Sequence, residues 1–473
     1  MASYGRNVIA NIVSQVFVAA VGIATIPFLV RVMGAEAFGL IGFFTLLQAW
    51  FQLLDMGMTP TLSRETARFC GGSLTVGELR QLLKVMESLF VAVAVAGALG
   101  LALGSGFIAR SWLHVEALPL AEVRLAILLM GVVIALRWVG GVYRGAIAGF
   151  EEMVWLGVFS STIATFRFVL VVPLLHHFGG RPSFFFLYQA FLAVLELGVL
   201  RLKLYRLVPR TGAPAGPTWN WAVVKPILVF SASIAFTSSI WVLVTQMDKL
   251  VLSKVLSLSD FGYFTMAVAV AGGISLLSGP IAGALMPRMA RMVAAKDEDG
   301  MIQLYRDATQ MVAILVMPAA LLLSCFAAQI LFAWTGNPLV AAKAAPVLRL
   351  YAIGNGILAM LAFQYYLQYA KGNLKLHVIG NVIMVLLLIP SVVWATVHFG
   401  MVGAGSAWVA INSLYLLFWA PFIHSRYVPG LHRVWLRVDI GHITVPVAVV
   451  AGTCALVLPQ PASRAASGLE AVA

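Results

Sequence analysis

The sequence predicts an all-α polytopic membrane protein: two six-helix bundles related by a parallel pseudo-two-fold repeat, with about 12–13 transmembrane helices. Three observations lead there. The chain is 61% hydrophobic and only 10% charged, with a mean hydropathy of +0.96, whereas a soluble globular chain carries roughly 25% charged residues. Apolar runs long enough to cross about 30 Å of hydrocarbon recur along its length. The chain also copies itself without gaps. Residues 31–40 lie over 254–263, with Val32 on Val255, Phe38 on Phe261 and Gly39 on Gly262. The same register puts Leu62, Ala67 and Arg68 on Leu285, Ala290 and Arg291 in the loop after the second span of each copy.

The runs fall near 6–32, 38–57, 83–106, 118–143, 154–175, 183–204, 226–252, 260–284, 309–333, 346–370, 376–398, 402–424 and 442–459. Backbone in lipid must satisfy its own hydrogen bonds, so each run is a helix. The short alternating segments of a β-barrel are missing. Pro446 interrupts the last run, and Pro459 and Pro461 close it. Residues 1–204 form the first bundle and 226–424 the second. Between them, 205–225 is a Pro-, Gly- and Arg-rich linker. The extension 425–473 holds the thirteenth span. An even number of spans separates the copies, so their first helices run the same way and the repeat is parallel.

Positive charge sets the orientation. Arg6, Arg64, Arg68, Arg80, Lys84, Arg137, Arg144, Arg201, Lys203, Arg288, Arg291 and Lys371 fall on one set of alternating segments. Arg31, Arg110, Arg124, Arg181 and Lys254 fall on the sparser other set. The richer side is cytoplasmic and includes the N-terminus and the linker.

Several function classes are excluded. The net charge of +13 is spread over short loops, with no basic block interleaved with aromatics, so nucleic acid is not a partner. Cys70, Cys325 and Cys454 have neither disulfide nor metal-ligand spacing. No phosphate-binding GxxxxGK[ST] loop occurs. The first run is too long for a cleavable signal peptide. A polymerase or ligase would need loop-borne acid/base groups, and the outer loops offer only scattered His114, Glu116, His176 and His177. No catalytic residue, cofactor or metal is assigned.

Polar residues inside spans are costly, about 2.5–3.5 kcal/mol for a charge on insertion scales, so each requires an explanation. Gln48, Gln52 and Asp55 share one face of the second span, and Asn11 and Gln15 do so in the first. They either line a cavity or bond helices together. The seventh span carries Ser231, Ser238, Trp241, Thr245 and Asp248 on one face, followed by Lys249. Asp248 either takes up a proton or cation, or pairs with a base to fix the outer gate. Arg167, in the middle of the fifth span, is at a depth similar to Glu196 in the sixth. The two either neutralise each other, or Arg167 faces an anionic head group.

Arg31 and Lys254 occupy equivalent outer ends of spans. Arg64, Arg68, Arg288 and Arg291 form the corresponding inner set. They either bind phosphate, for which arginine offers a fixed fork of donors, or only orient the chain. Gln364, Gln368 and Lys371 lie beside Tyr365, Tyr366 and Tyr369, a patch that suits an interfacial belt or a sugar ring. Asn355, Asn381 and Asn412 are expected to bond helix to helix.

These residues carry a family resemblance. Residues 29–40, then Leu54, Asp55, Met56 and Gly57 with Arg64 and Arg68, resemble the first hairpin of bacterial polysaccharide flippases of the O-antigen type. Residues 246–253, 261–264 and 286–288, and 143–150 after the fourth span, resemble the same family. The similarity covers essentially the whole chain, and its order, spacing and duplication are its specific part.

The resemblance implies the multidrug/oligosaccharidyl-lipid/polysaccharide exporter superfamily: two bundles around a central cavity, working by alternating access. It implies flipping of undecaprenyl-diphosphate-linked oligosaccharide from the inner to the outer leaflet of the bacterial cytoplasmic membrane. The implied partners are that substrate, bilayer lipids, a proton or sodium ion, and proteins of polysaccharide assembly. The substrate contacts are then Arg31, Gln48, Gln52, Arg167, Asp248 and Lys254. The gate or inner mouth holds Asp55, Arg64, Arg68, Arg288 and Arg291. The alternative within the superfamily is a cation-coupled multidrug exporter using Asp55, Glu196 or Asp248.

Overall fold

The computed structural model describes residues 2–209 and 239–457. Most of the expected linker lies outside them, as do Ser231 and Ser238 of the seventh span. The first helices are α1 (Ala2–Met33), α2 (Ala35–Phe51), α3 (Met58–Cys70), α4 (Val76–Phe107), α5 (Leu120–Gly149), α6 (Met153–Ala164), α7 (Val171–Phe178) and α8 (Pro182–Leu207). Then come α9 (239–255), α10 (Leu258–Ala294), α11 (Glu298–Cys325), α12 (Ala327–Thr335), α13 (Pro338–Ala370) and α14 (Lys375–Leu414). The chain continues through α15 (Ala420–Tyr427), α16 (Leu431–Val434) and α17 (His442–Val457).

Eleven stretches among the described residues are long and apolar enough to cross a membrane, and the protein is a multi-pass, all-α membrane protein. Thirteen were expected, and the difference has two sources. The seventh run is described only from residue 239. The eleventh and twelfth runs merge into one stretch, Lys375–Tyr427. Gly400, at φ 58° and ψ −142°, bends α14 between them, in a conformation that glycine adopts without a Cβ penalty.

The chain divides into two compact units. One comprises Met1–Gln246 with Ser257–Gly262, the other Met247–Leu256 with Tyr263–Ala473. The core of the first joins α4, α5 and α8, where Leu83, Phe90, Val142, Ala146 and Leu200 are buried. Phe90 stacks on Trp138 with ring centroids 4.2 Å apart. A Cβ at Gly145 would stand 2.7 Å from the Thr59 carbonyl oxygen, so a bare α-carbon is what seats α3 against α5. The core of the second unit gathers Tyr305, Val312, Val316, Phe363 and Trp435. Large apolar side chains such as Leu103, Leu386 and Phe418 point outward, the pattern expected where lipid is the solvent.

The repeat is visible in the helix boundaries. In the sequence register Ala35 matches Leu258, and these two residues begin α2 and α10. Within the first unit the opening turns of α2 and α10 meet reciprocally. A Cβ on Gly39 would strike the Leu258 carbonyl oxygen, and one on Gly262 would strike that of Ala35. Beside this crossing, the buried Glu36 carboxylate accepts the backbone N–H groups of Glu116 at 2.7 Å, Ala117 at 2.9 Å and Leu118 at 3.1 Å. Leu258 donates its N–H to the His114 carbonyl at 2.9 Å.

Past these turns the copies differ. The first breaks at a 3-10 turn, Gln52–Asp55, followed by Met56 and Gly57 at positive φ, before α3 begins. The second runs unbroken to Ala294. Arg64, Arg68, Arg288 and Arg291 therefore sit on helices and not in loops.

The extension after residue 424 is fastened to α11. Asp439, with no exposed surface, accepts from Arg306 Nε and one terminal nitrogen, both at 3.0 Å, and from Gln310 at 2.7 Å. Trp435 donates to Thr309 at 3.0 Å, and Tyr305 meets His424, which meets His432.

Candidate functional site

The densest group of charges inside the spans lies in the first unit. Arg137 and Arg144 stand two turns apart on α5, hence on one face. Gln189 and Glu196 stand two turns apart on α8. Between α6 and α7 the helix widens into a π-turn, Thr165–Leu170, which carries Arg167. Such turns release backbone carbonyls from the regular ladder. Here Tyr188 donates to the Phe166 carbonyl at 2.8 Å and Gln189 to that of Arg167 at 3.2 Å.

The side chains converge on one carboxylate. Glu196, 7% exposed, pairs with Arg167 at 2.9 Å and with Arg144. Arg144 also donates to Ser160 at 2.9 Å. Arg137 donates to the Gln189 side-chain oxygen at 2.6 Å, and among the described residues no carboxylate pairs with it. Its guanidinium carbon lies 5.6 Å from the centre of the Phe44 ring. Among the described residues, the Nε atoms of Arg137 and Arg167 are buried without a partner. Three guanidiniums face one carboxylate, which leaves an excess of positive charge and unused donors in an apolar surrounding. Such a group can hold an anion with several oxygens.

The pairing of Arg167 with Glu196 agrees with their expected depths. Arg137 and Arg144 did not look intramembrane: they fall at the end of the fourth run, where cytoplasmic charge was expected. The helix continues to Gly149 and carries both. The spacing of Arg137 and Arg144, matched by that of Gln189 and Glu196, was the pattern that could have revealed them.

The second unit holds a different arrangement. Asp248 is 4% exposed and accepts from the Tyr351 hydroxyl of α13 and from the Lys249 backbone N–H at 2.7 Å. The Lys249 ammonium lies 3.7 Å away. The Tyr351 ring stacks on Trp408 at 6.2 Å. Trp408 donates to Asn355 at 3.1 Å, and Asn355 to the Ala271 carbonyl at 3.0 Å.

The remaining expected residues are dispersed. Arg31 is exposed in the last turn of α1, and Lys254 is half-buried at the end of α9. Gln48 is half-buried and Gln52 exposed. Asp55 accepts the Thr59 hydroxyl at 2.5 Å and its N–H at 3.3 Å, so it caps the first turn of α3. Arg68 pairs with Glu65 at 2.8 Å on its own helix. Arg64, Arg288 and Arg291 are exposed. Gln15 donates to Asn11 at 3.1 Å.

Two expectations change. Gln364 and Gln368 are buried, each with an unpartnered side-chain oxygen, and so belong to the bundle interior and not to an interfacial belt. Asn355 bridges helices, but Asn381 and Asn412 bond to His377 and the Trp408 carbonyl within α14.

The fold is that of MOP-superfamily transporters. The lipid II flippase MurJ, in an inward closed conformation, matches with a TM-score of 0.72 at 12% identity, over 98% of this chain and 96% of that one. An inward-facing multidrug resistance MATE family transporter matches at 0.63 and 14% identity, over 92% and 96%. A MOP superfamily transporter from Pyrococcus furiosus matches at 0.54 and 15% identity, over 94% and 96%. None of the curated proteins compared by sequence matches the chain. The chain belongs to the family of polysaccharide biosynthesis proteins, whose model matches residues 4–293.

Proposed function

We propose that this protein flips undecaprenyl-diphosphate-linked oligosaccharide from the inner to the outer leaflet of the bacterial cytoplasmic membrane by alternating access, with its N-terminus in the cytoplasm. The observation that carries the reading is the arginine excess around Glu196. Unpaired charge within a span is too costly to be retained as packing, and arginine forks suit diphosphate oxygens. Membership in a polysaccharide biosynthesis family supports the same substrate class, and the fold shared with a lipid II flippase supports the motion. Arg31, Arg68, Lys254 and Arg291, near helix ends, are proposed as further contacts for the diphosphate. The test is depletion of the protein with labelled sugar. Lipid-linked glycan should build up in the inner leaflet, and wild type should clear it while Arg137→Gln should not. If no glycan accumulates, the reading is wrong.

Asp248 supports a second reading, a cation-coupled exporter of small amphiphiles, which the MATE-like fold also accommodates. Of the three candidate carboxylates, Asp55 caps α3 and Glu196 is held by two arginines. Asp248 bonds chiefly to a phenol. If Asp248→Asn abolishes resistance to a lipophilic cation while glycan export persists, this second reading replaces the first.

A further inference from the structure

We propose that Glu196 is an internal counter-ion that a diphosphate displaces from Arg144 and Arg167, and that its displacement loads a proton onto the protein. The inference rests on the flippase reading and assigns the order of events within its site. Among the described residues Arg137 pairs with no carboxylate, so it supplies the first fork. Its Nε and that of Arg167 are unpartnered, and Gln189 holds Arg137 at 2.6 Å beside the pair it is to join. A diphosphate offers more oxygens than one carboxylate and can accept from three guanidiniums together.

Its arrival leaves Glu196 buried without its arginines. The groups facing that carboxyl are Arg137 and Arg144 from α5, Arg167 from the π-turn and, through Arg144, Ser160 from α6. Lys203, two turns further along α8, is engaged by Glu152 at 3.0 Å. Among the described residues no further cation faces a displaced carboxylate, and an isolated buried charge protonates instead. One proton therefore binds as the anion binds, and release of the anion frees it. The loaded state holds the extra proton, so affinity strengthens as pH falls, by about tenfold per pH unit for one linked proton.

The experiment is titration of the full-length protein in nanodiscs with inorganic pyrophosphate across pH, comparing wild type, Glu196→Gln and Arg137→Gln. Glu196→Gln keeps the size of the side chain and removes its charge. It should bind pyrophosphate about tenfold more tightly near neutral pH, with a shallower pH slope than wild type. Equal or weaker binding with an unchanged slope overturns the proposal. If Glu196→Gln does not fold, Arg137→Gln decides: about tenfold weaker binding with the wild-type slope is expected, and unchanged binding overturns it.

Phosphatidylcholine and phosphatidylglycerol nanodiscs separate a diphosphate from a phospholipid head group. Similar affinity in both supports a diphosphate site, and loss of binding in phosphatidylglycerol assigns the site to the head group and overturns the proposal. Glycan accumulation after depletion is scored separately, so the flippase reading can fail while the exchange at Glu196 stands, and the reverse.

Discussion

The two units bury charge in opposite ways. The first sets three arginines around one carboxylate. The second sets Asp248 against a tyrosine, with a lysine 3.7 Å away, and Asp439 against Arg306, so each of these two carboxylates has its own cation. In the register that matches Arg31 with Lys254, Asp248 corresponds to Thr25, which donates to carbonyls of its own helix, at 3.0 Å to Val21 and 3.1 Å to Gly22. The two copies share helix starts and the glycine crossing but differ in their polar interiors. One interior holds more guanidiniums than carboxylates; the other is neutralised locally and linked across α9, α13, α14 and α10.

The largest expected effect sharpens that contrast. Arg167→Ala removes one of two partners of a buried carboxylate and should destabilise the protein by about 3–5 kcal/mol, read by thermal unfolding in detergent. Glu196→Gln leaves three guanidiniums facing no carboxylate and should cost at least as much as Arg167→Ala, after which Glu196 still pairs with Arg144; a smaller loss would mean the arginines are not held by that charge. In the second unit, Asp248→Ala strands the Tyr351 hydroxyl and should cost about 1–3 kcal/mol, again by unfolding. If it matches or exceeds the Arg167→Ala loss, the asymmetry between the units is wrong.

Next in size, Gly39→Val and Gly262→Val should destabilise by similar amounts, about 1–3 kcal/mol from overpacking. A strong imbalance between them in the same assay would break the reciprocity of the crossing. Asp55→Ala should cost about 1 kcal/mol, the loss of a helix cap, and leave glycan clearance intact in the depletion strain. The smallest effect is expected for Arg288→Ala, an exposed residue, within about 0.5 kcal/mol.

Much of the fold was legible because hydropathy and length suffice for spans in lipid, and because the repeat between residues 31–68 and 254–291 is written without gaps. The merged stretch at α14 was legible as two runs because Phe399 and Gly400 interrupt the pattern. The site was harder to read. Arg167 and Glu196 stood out by lying within apolar sequence. Arg137 and Arg144 did not, because charge near a run's end reads as interfacial until the helix is known to continue to Gly149. The role of Asp55 as a cap depends on a break at Met56 and Gly57 that hydropathy does not register. The anchoring of the extension by Asp439 joins residues far apart in sequence, Arg306 and Asp439, and only packing brings them together.

The symmetry of the α2–α10 crossing extends to single atoms. Gly39 touches the residue equivalent to Ala35, and Gly262 touches Ala35 itself, so the contact is made of one patch used twice. That is the geometry of an isologous interface, in which a surface is its own complement. A side chain added at either glycine would therefore meet the same obstacle, the first backbone carbonyl of the other copy's helix.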